Sequence, residues 1–137
     1  MTDQTLLPAQ TTLAPQAPAF GYLLDAQALA NLAQLDPTGA NQLLPRVLST
    51  YRSSLARLMG QLAAARNPFQ PDTVKLVTHT LKSSSASVGA LGLSALCNQA
   101  EQALRDARID DLPAILDTLE IEASHVDAAV HQLLVPS

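Results

Sequence analysis

His79 lies in a stretch, Val74 to Val88, that separates into two faces when wound as an α-helix. At about 100° per residue, Val74, Val77, Leu81, Ser84 and Val88 fall within roughly 40° of the side opposite the histidine and form a core stripe. His79 is therefore expected to point to solvent. Within about 60° of it lie Asp72, Lys75, Leu76, Lys82, Ser83, Ala86 and Ala90. An exposed neutral imidazole is a competent nucleophile near neutral pH. Lys82 at i+3 and Lys75 at i−4 project from the same face and can sit as point charges beside the oxygens of a transferred phosphate. The small side chains of Ser83, Ala86 and Ala90 leave the approach open to another protein, and Leu76 offers an apolar contact at the edge of water. No carboxylate partner for a triad, glycine-rich phosphate cradle or second metal ligand accompanies the histidine, so the pattern favours a group carrier over a complete enzyme. The competing reading is plain: a surface histidine between lysines is most often only that.

Other reactive side chains have simpler explanations. His125 and His131 are six residues apart, about 120° around a helix, and cannot form an i, i+4 metal pair. Cys97 shares an apolar stripe with Leu93, Leu96, Ala100 and Leu104 and reads as a small buried hydrophobe. Asp106, Asp110 and Asp111 suit turns and caps better than a cation. The serines at 83, 84, 85 and 87 lack a paired base and read as small residues that let helices and partners approach. Glu101 reads as a polar contact at the bundle edge. No metal site is expected.

The positioning elements follow from hydrophobic period. No stretch alternates like a half-buried strand. Five helical segments are expected, at about Asp25–Leu35, Asn41–Ala65, Asp72–Val88, Leu91–Ala107 and Leu112–Leu134. Asp25 and Asn41 are their N-caps where the first two begin, and Asp110 or Asp111 caps the last. The first carries a stripe of Leu29, Leu32 and Leu35. In the second, Leu44, Val47, Leu48, Tyr51, Leu55, Leu58, Met59 and Leu62 recur at three- and four-residue steps. Pro45 and Pro113 fall in first turns, where proline is tolerated. Asn67-Pro68 breaks the second helix, and Gly89 and Gly92 punctuate the third junction. The expected fold is all-α: an antiparallel four-helix bundle with a short additional N-terminal helix. Residues 1–21, with Pro8, Pro15 and Pro18, read as a flexible leader, and residues 22–137 as the domain.

Composition narrows the function classes. The chain of 137 residues is 47% hydrophobic, 15% charged and 3% aromatic with no Trp, so it folds around an aliphatic core. A formal charge of −4 without a basic run argues against nucleic acid. No apolar stretch approaches the roughly 20 residues of a membrane span. The start, Met1-Thr2-Asp3-Gln4, lacks the basic and apolar regions of a secretory signal, and a single cysteine makes no disulfide framework, so a cytoplasmic setting is expected.

The run His79-Thr80-Leu81-Lys82-Ser83-Ser84-Ser85-Ala86-Ser87-Val88-Gly89-Ala90 resembles the signature of histidine-containing phosphotransfer (HPt) domains, approximately H-x-L-K-G-S-[SA]-x-x-[LVI]-G-[AL]. Leu93, Cys97 and Glu101 are similar to the family's L-x-x-x-C-x-x-x-E continuation, and Leu35-Asp36-Pro37 to its entry. The resemblance covers about residues 22–134. It implies that His79 is phosphorylated, that Lys82 steadies the phosphoryl group, and that Lys75, Leu76, Ser83, Ala86 and Ala90 dock receiver domains. The implied partners are the receiver of a hybrid histidine kinase and that of a response regulator. No cofactor is expected in the chain itself, Mg²⁺ belonging to the receiver. No independent kinase activity is expected, since nothing resembles a nucleotide site, and a monomer is expected from the lone motif and closed bundle. Ser83 departs from the family's usual glycine and adds a hydroxyl to the docking face. The alternative function is a non-phosphorylated helical module that sequesters or scaffolds a receiver or kinase.

Overall fold

Among the described residues, five α-helices follow one another, each with the apolar period its sequence announces. They are α1 (Ala26–Gln34), α2 (Leu43–Arg66), α3 (Pro71–Ser87), α4 (Leu91–Arg105) and α5 (Leu112–Leu134), the last preceded by a 3₁₀ turn at Ile109–Asp111. The computed structural model describes residues 23–135; the expected leader lies outside them. Helices α2 to α5 close a ring in which each packs on two others, and α1 lies against α2. Cross-helix pairs run in opposite chain directions, as from Arg52–Asp127 to Arg66–Asp117 between α2 and α5, so the bundle is antiparallel. No described helix is long and apolar enough to cross a membrane.

The core is aliphatic, with Leu48, Leu55, Leu58 and Leu62 of α2 meeting Val74, Val77 and Leu81 of α3, Leu93 and Cys97 of α4, and Leu116, Leu119 and Val126 of α5. Leu29 and Leu32 of α1 pack on it, but Leu35 is 73% exposed, because the helix ends at Gln34 before that residue turns inward. A second departure concerns α3. Ser84 is only half-buried, whereas Ser85 is fully buried and bonds the Tyr51 hydroxyl at 2.8 Å. Burial pushes the Tyr51 phenol up to about 12, against the opposing effect of the Ser85 bond. Replacing Tyr51 by Phe leaves the Ser85 hydroxyl buried and unpaired, so the variant should lose about 1–2 kcal/mol in urea unfolding.

Helix starts show why local signals misplace ends. Asp25 caps α1, accepting from Ala28 N at 2.9 Å. α2 has its cap position one residue later than expected, at Gln42, because the capping bonds come from outside: the Asp36 carboxylate accepts from Asn41 N and Leu43 N, both at 3.1 Å, while Gln42 turns left-handed at φ 55°. At α5 the Asp111 side chain makes no cap bond; Arg108 engages it, and also Asp106.

The turn between α3 and α4 is tight. Gly89 adopts φ +84°, and the Asp25 N–H donates to its carbonyl at 2.7 Å. A Cβ there would lie 2.7 Å from Asp25 N and 2.9 Å from Asp25 O. The start of α1 is thereby latched to the end of α3, with Leu24 buried alongside.

Candidate functional site

The short turn at residues 88–90 sends α4 back along α3, so residue numbers that face each other run in opposite directions. Ser94 Oγ on α4 donates to the Lys82 carbonyl on α3 at 2.8 Å, and two turns further on Glu101 arrives beside His79. Here the sequence expectation is corrected. The histidine does have a carboxylate partner, with Glu101 Oε2 2.9 Å from its Nδ1. The same carboxylate takes the Lys82 ammonium on Oε1 at 2.5 Å as an ion pair. Glu101 is not at the bundle edge: its side chain is 8% exposed, whereas the His79 side chain is 70% exposed and that of Lys82 33%.

Charge decides the protonation pattern. Burial alone would push the Glu101 carboxyl up, but Lys82 and His79 together overcome it and hold the group below the usual carboxylate range. An ionised carboxylate can only accept, so Nδ1 of His79 is the donor and carries the proton. In the neutral ring Nε2 then holds the lone pair, and no described residue hydrogen-bonds it. Such an arrangement presents a nucleophilic nitrogen of fixed tautomer to solvent, with a lysine beside it.

Around the ring, Lys75, Leu76, Ser83 and Ala86 are exposed as expected, Leu76 at 64%. Ala90 is not: it is fully buried. The helix ends at Ser87, and the left-handed Gly89 swings the chain off the wheel on which Ala90 shared the face of His79. Cys97, one turn before Glu101, is buried in the core, and its thiol is pushed up to about 12 by burial and by the Glu101 charge, so it stays protonated and inert. His125 and His131 are exposed on α5, the latter contacting Arg52 through Nδ1 at 2.9 Å. No grouping of three or more metal-ligating side chains exists among the described residues.

Sequence reasoning missed the pairing of Glu101 with His79. Two signals pointed to it: the place of Glu101 in the motif's continuation, four residues beyond the buried Cys97, and a turn too short to let α4 run anywhere but back along α3.

No curated protein sequence matches the chain. Among solved structures, the crystal structure of histidine-containing phosphotransfer protein B from Pseudomonas aeruginosa PAO1 is similar, with a TM-score of 0.74 and 23% identity over 82% of this chain and 94% of that one. That likeness concerns the fold. The Hpt domain model matches residues 46–133, well over half of the sequence, from within α2 through the His79–Glu101 pair into the last turn of α5, and the chain belongs to the Hpt domain family.

Proposed function

We propose that this protein is a phosphorelay carrier that takes a phosphoryl group onto His79 Nε2 from the aspartyl phosphate of a hybrid kinase's receiver domain and passes it to the receiver of a response regulator. The observation that carries this reading is the Glu101–His79 bond, which keeps the proton on Nδ1 and leaves the exposed Nε2 as the nucleophile. On acceptance the Nε2–P bond forms as the acyl phosphate O–P bond breaks, and the electron pair of that bond stays with the receiver's aspartate. The proton remains on Nδ1, so the positive charge gained by the ring lies against the Glu101 carboxylate. Delivery is the reverse. Phosphoryl transfer depends mainly on positioning and charge stabilisation. This chain contributes the nucleophile, the Lys82 charge and a docking face, and the receiver contributes Mg²⁺ and its acidic pocket. The chain acts as carrier, without kinase activity of its own, and as a monomer in the cytoplasm.

Incubation with a radiolabelled, phosphorylated receiver domain tests the proposal. Label should appear on the chain, be acid-labile and alkali-stable, and map to the peptide holding His79. Stoichiometric binding with no label would sink it and favour a scaffold or inhibitor.

Glu101→Gln keeps the shape but removes the charge. Transfer should slow by about tenfold or more, since the amide no longer favours the Nδ1–H tautomer or balances the phosphorylated ring. Nitrogen chemical shifts of His79 should report a mixed tautomer. The pH dependence has a definite sign. A carboxyl held low in the folded state stabilises the fold fully above its ordinary value of 4.5 and loses that contribution as pH falls through the depressed folded value. Thermal melts of the wild type and Glu101→Gln should therefore converge in that acid range and differ above it.

A further inference from the structure

The register that pairs His79 with Glu101 has a consequence one helical turn away. Lys75 precedes His79 by four residues on α3, and Arg105 follows Glu101 by four on α4; because the helices are antiparallel, the two cations come level with each other across the α3–α4 groove. Both line a hollow of about 270 Å³ whose remaining walls are Pro71, Asp72, Leu104 and Glu101 itself. The hollow and the reactive histidine thus share a wall.

Its charges are unevenly satisfied. Among the described residues, Arg52, Arg66, Lys82 and Arg108 have carboxylate partners, whereas Arg46, Arg57, Lys75 and Arg105 have none; of these four, Lys75 and Arg105 line one hollow together. The Glu101 charge is already matched by Lys82. Asp72 also lines the hollow, but it lies two turns from His79 where Lys75 lies one. The end nearer the histidine therefore presents two uncompensated cations on a protein of formal charge −4. Lys75, expected from the sequence to stand beside a transferred phosphate, lines the hollow instead, and a phosphoryl group on Nε2 has Lys82, at i+3, to serve it. What the hollow lacks is an anion that arrives with the partner.

We infer that this hollow receives an acidic side chain, Asp or Glu, of the receiver domain docked on His79, so that Lys75 and Arg105 determine which receivers fit. The inference rests on the carrier reading above. The carboxylate seats between the two cations about 6 Å along the helix axis from the histidine. It fixes the rotation of the partner about the Nε2–phosphoryl direction, which a single point of contact leaves free. Leu104 and the ring of Pro71 shield the pair on the apolar side.

The test uses two donors. Phosphoramidate is small: its P–N bond breaks, Nε2–P forms and ammonia leaves, with no docking face required. The second donor is whichever purified, phosphorylated receiver domain transfers to the wild-type chain fastest. In the double variant Lys75→Glu/Arg105→Glu, KM for the receiver should rise about a hundredfold, roughly tenfold per reversed charge, with kcat within about threefold. The salt dependence of kcat/KM should flatten, and phosphoramidate labelling of His79 should stay within about threefold. Arg46→Glu/Arg57→Glu, which reverses two exposed cations on α2 away from the hollow, controls for net charge. A receiver KM within threefold of that control would overturn the inference. Phosphoramidate labelling that falls in step with receiver transfer would also overturn it, placing the cations on the phosphoryl group. Label from phosphoramidate but from no receiver removes the partner and overturns the clamp alone. No label on the wild type from either donor overturns the carrier reading, and the clamp with it.

Discussion

Replacing His79 by glutamine should abolish phosphoryl acceptance while leaving the fold in place. The amide has no nucleophilic lone pair on nitrogen, and His125 and His131 belong to another helix, α5, where His131 contacts Arg52 of α2. Lys82 is ion-paired with Glu101, and the Cys97 thiol is buried and protonated, so neither substitutes. Label transferred from a phosphorylated receiver should fall to background, at least about a thousandfold below the wild type. The His79 side chain is 70% exposed, and the glutamine amide can still donate to Glu101. Unfolding free energy should therefore stay within about 0.5 kcal/mol of the wild type. Transfer retained in this variant would refute the assignment of His79.

Gly89→Ala should be the most damaging small substitution for stability. Alanine at φ +84° costs about 1–2 kcal/mol in backbone strain. Its Cβ would also meet the backbone of Asp25 at 2.7 and 2.9 Å, and backbone has no rotamer with which to yield. Either the α3–α4 turn opens or α1 lifts away, losing the Asp25 N to Gly89 O bond and the burial of Leu24. A total of about 3 kcal/mol is expected, seen as a fall in Tm of roughly 10 °C. Gly39 makes a fitting control: its φ is +74°, but a Cβ there meets nothing within 4 Å. Gly39→Ala should show only the strain, so the difference between the two variants measures the latch.

Much of this molecule was legible in its sequence because apolar period is a signal each helix carries alone. Leu48, Leu55 and Leu62 on α2 and Val74, Val77 and Leu81 on α3 are buried where their spacing places them. So is the exposure of His79, which follows from that stripe. Errors arise where a residue's surroundings come from another element. Asp36 caps a helix seven residues downstream, which makes Asn41 dispensable as a cap. Ala90 was placed by extending a helical wheel past a turn that the left-handed Gly89 ends. Ser84 and Ser85 lie on either side of the stripe's edge, and the Tyr51 hydroxyl on a different helix decides which of them goes inside. The His79–Glu101 pair spans 22 positions, and only the sense and register of α4 against α3 bring it together.

Apart from the Arg108 pairs in the turn between α4 and α5, the charged side chains that pair or gather divide by helix. Arg52–Asp127 and Arg66 with Asp117 and Glu120 tie α2 to α5, while Lys82, Glu101, Lys75 and Arg105 gather on α3 and α4. The two sets share no residue. A lineage carrying this bundle can thus exchange side chains on one pair of helices, and with them its choice of correspondent, while the other pair keeps the chassis unchanged. Duplicated copies can drift into separate channels by point changes at the exposed Lys75 and Arg105, which leave the α2–α5 ion pairs in place.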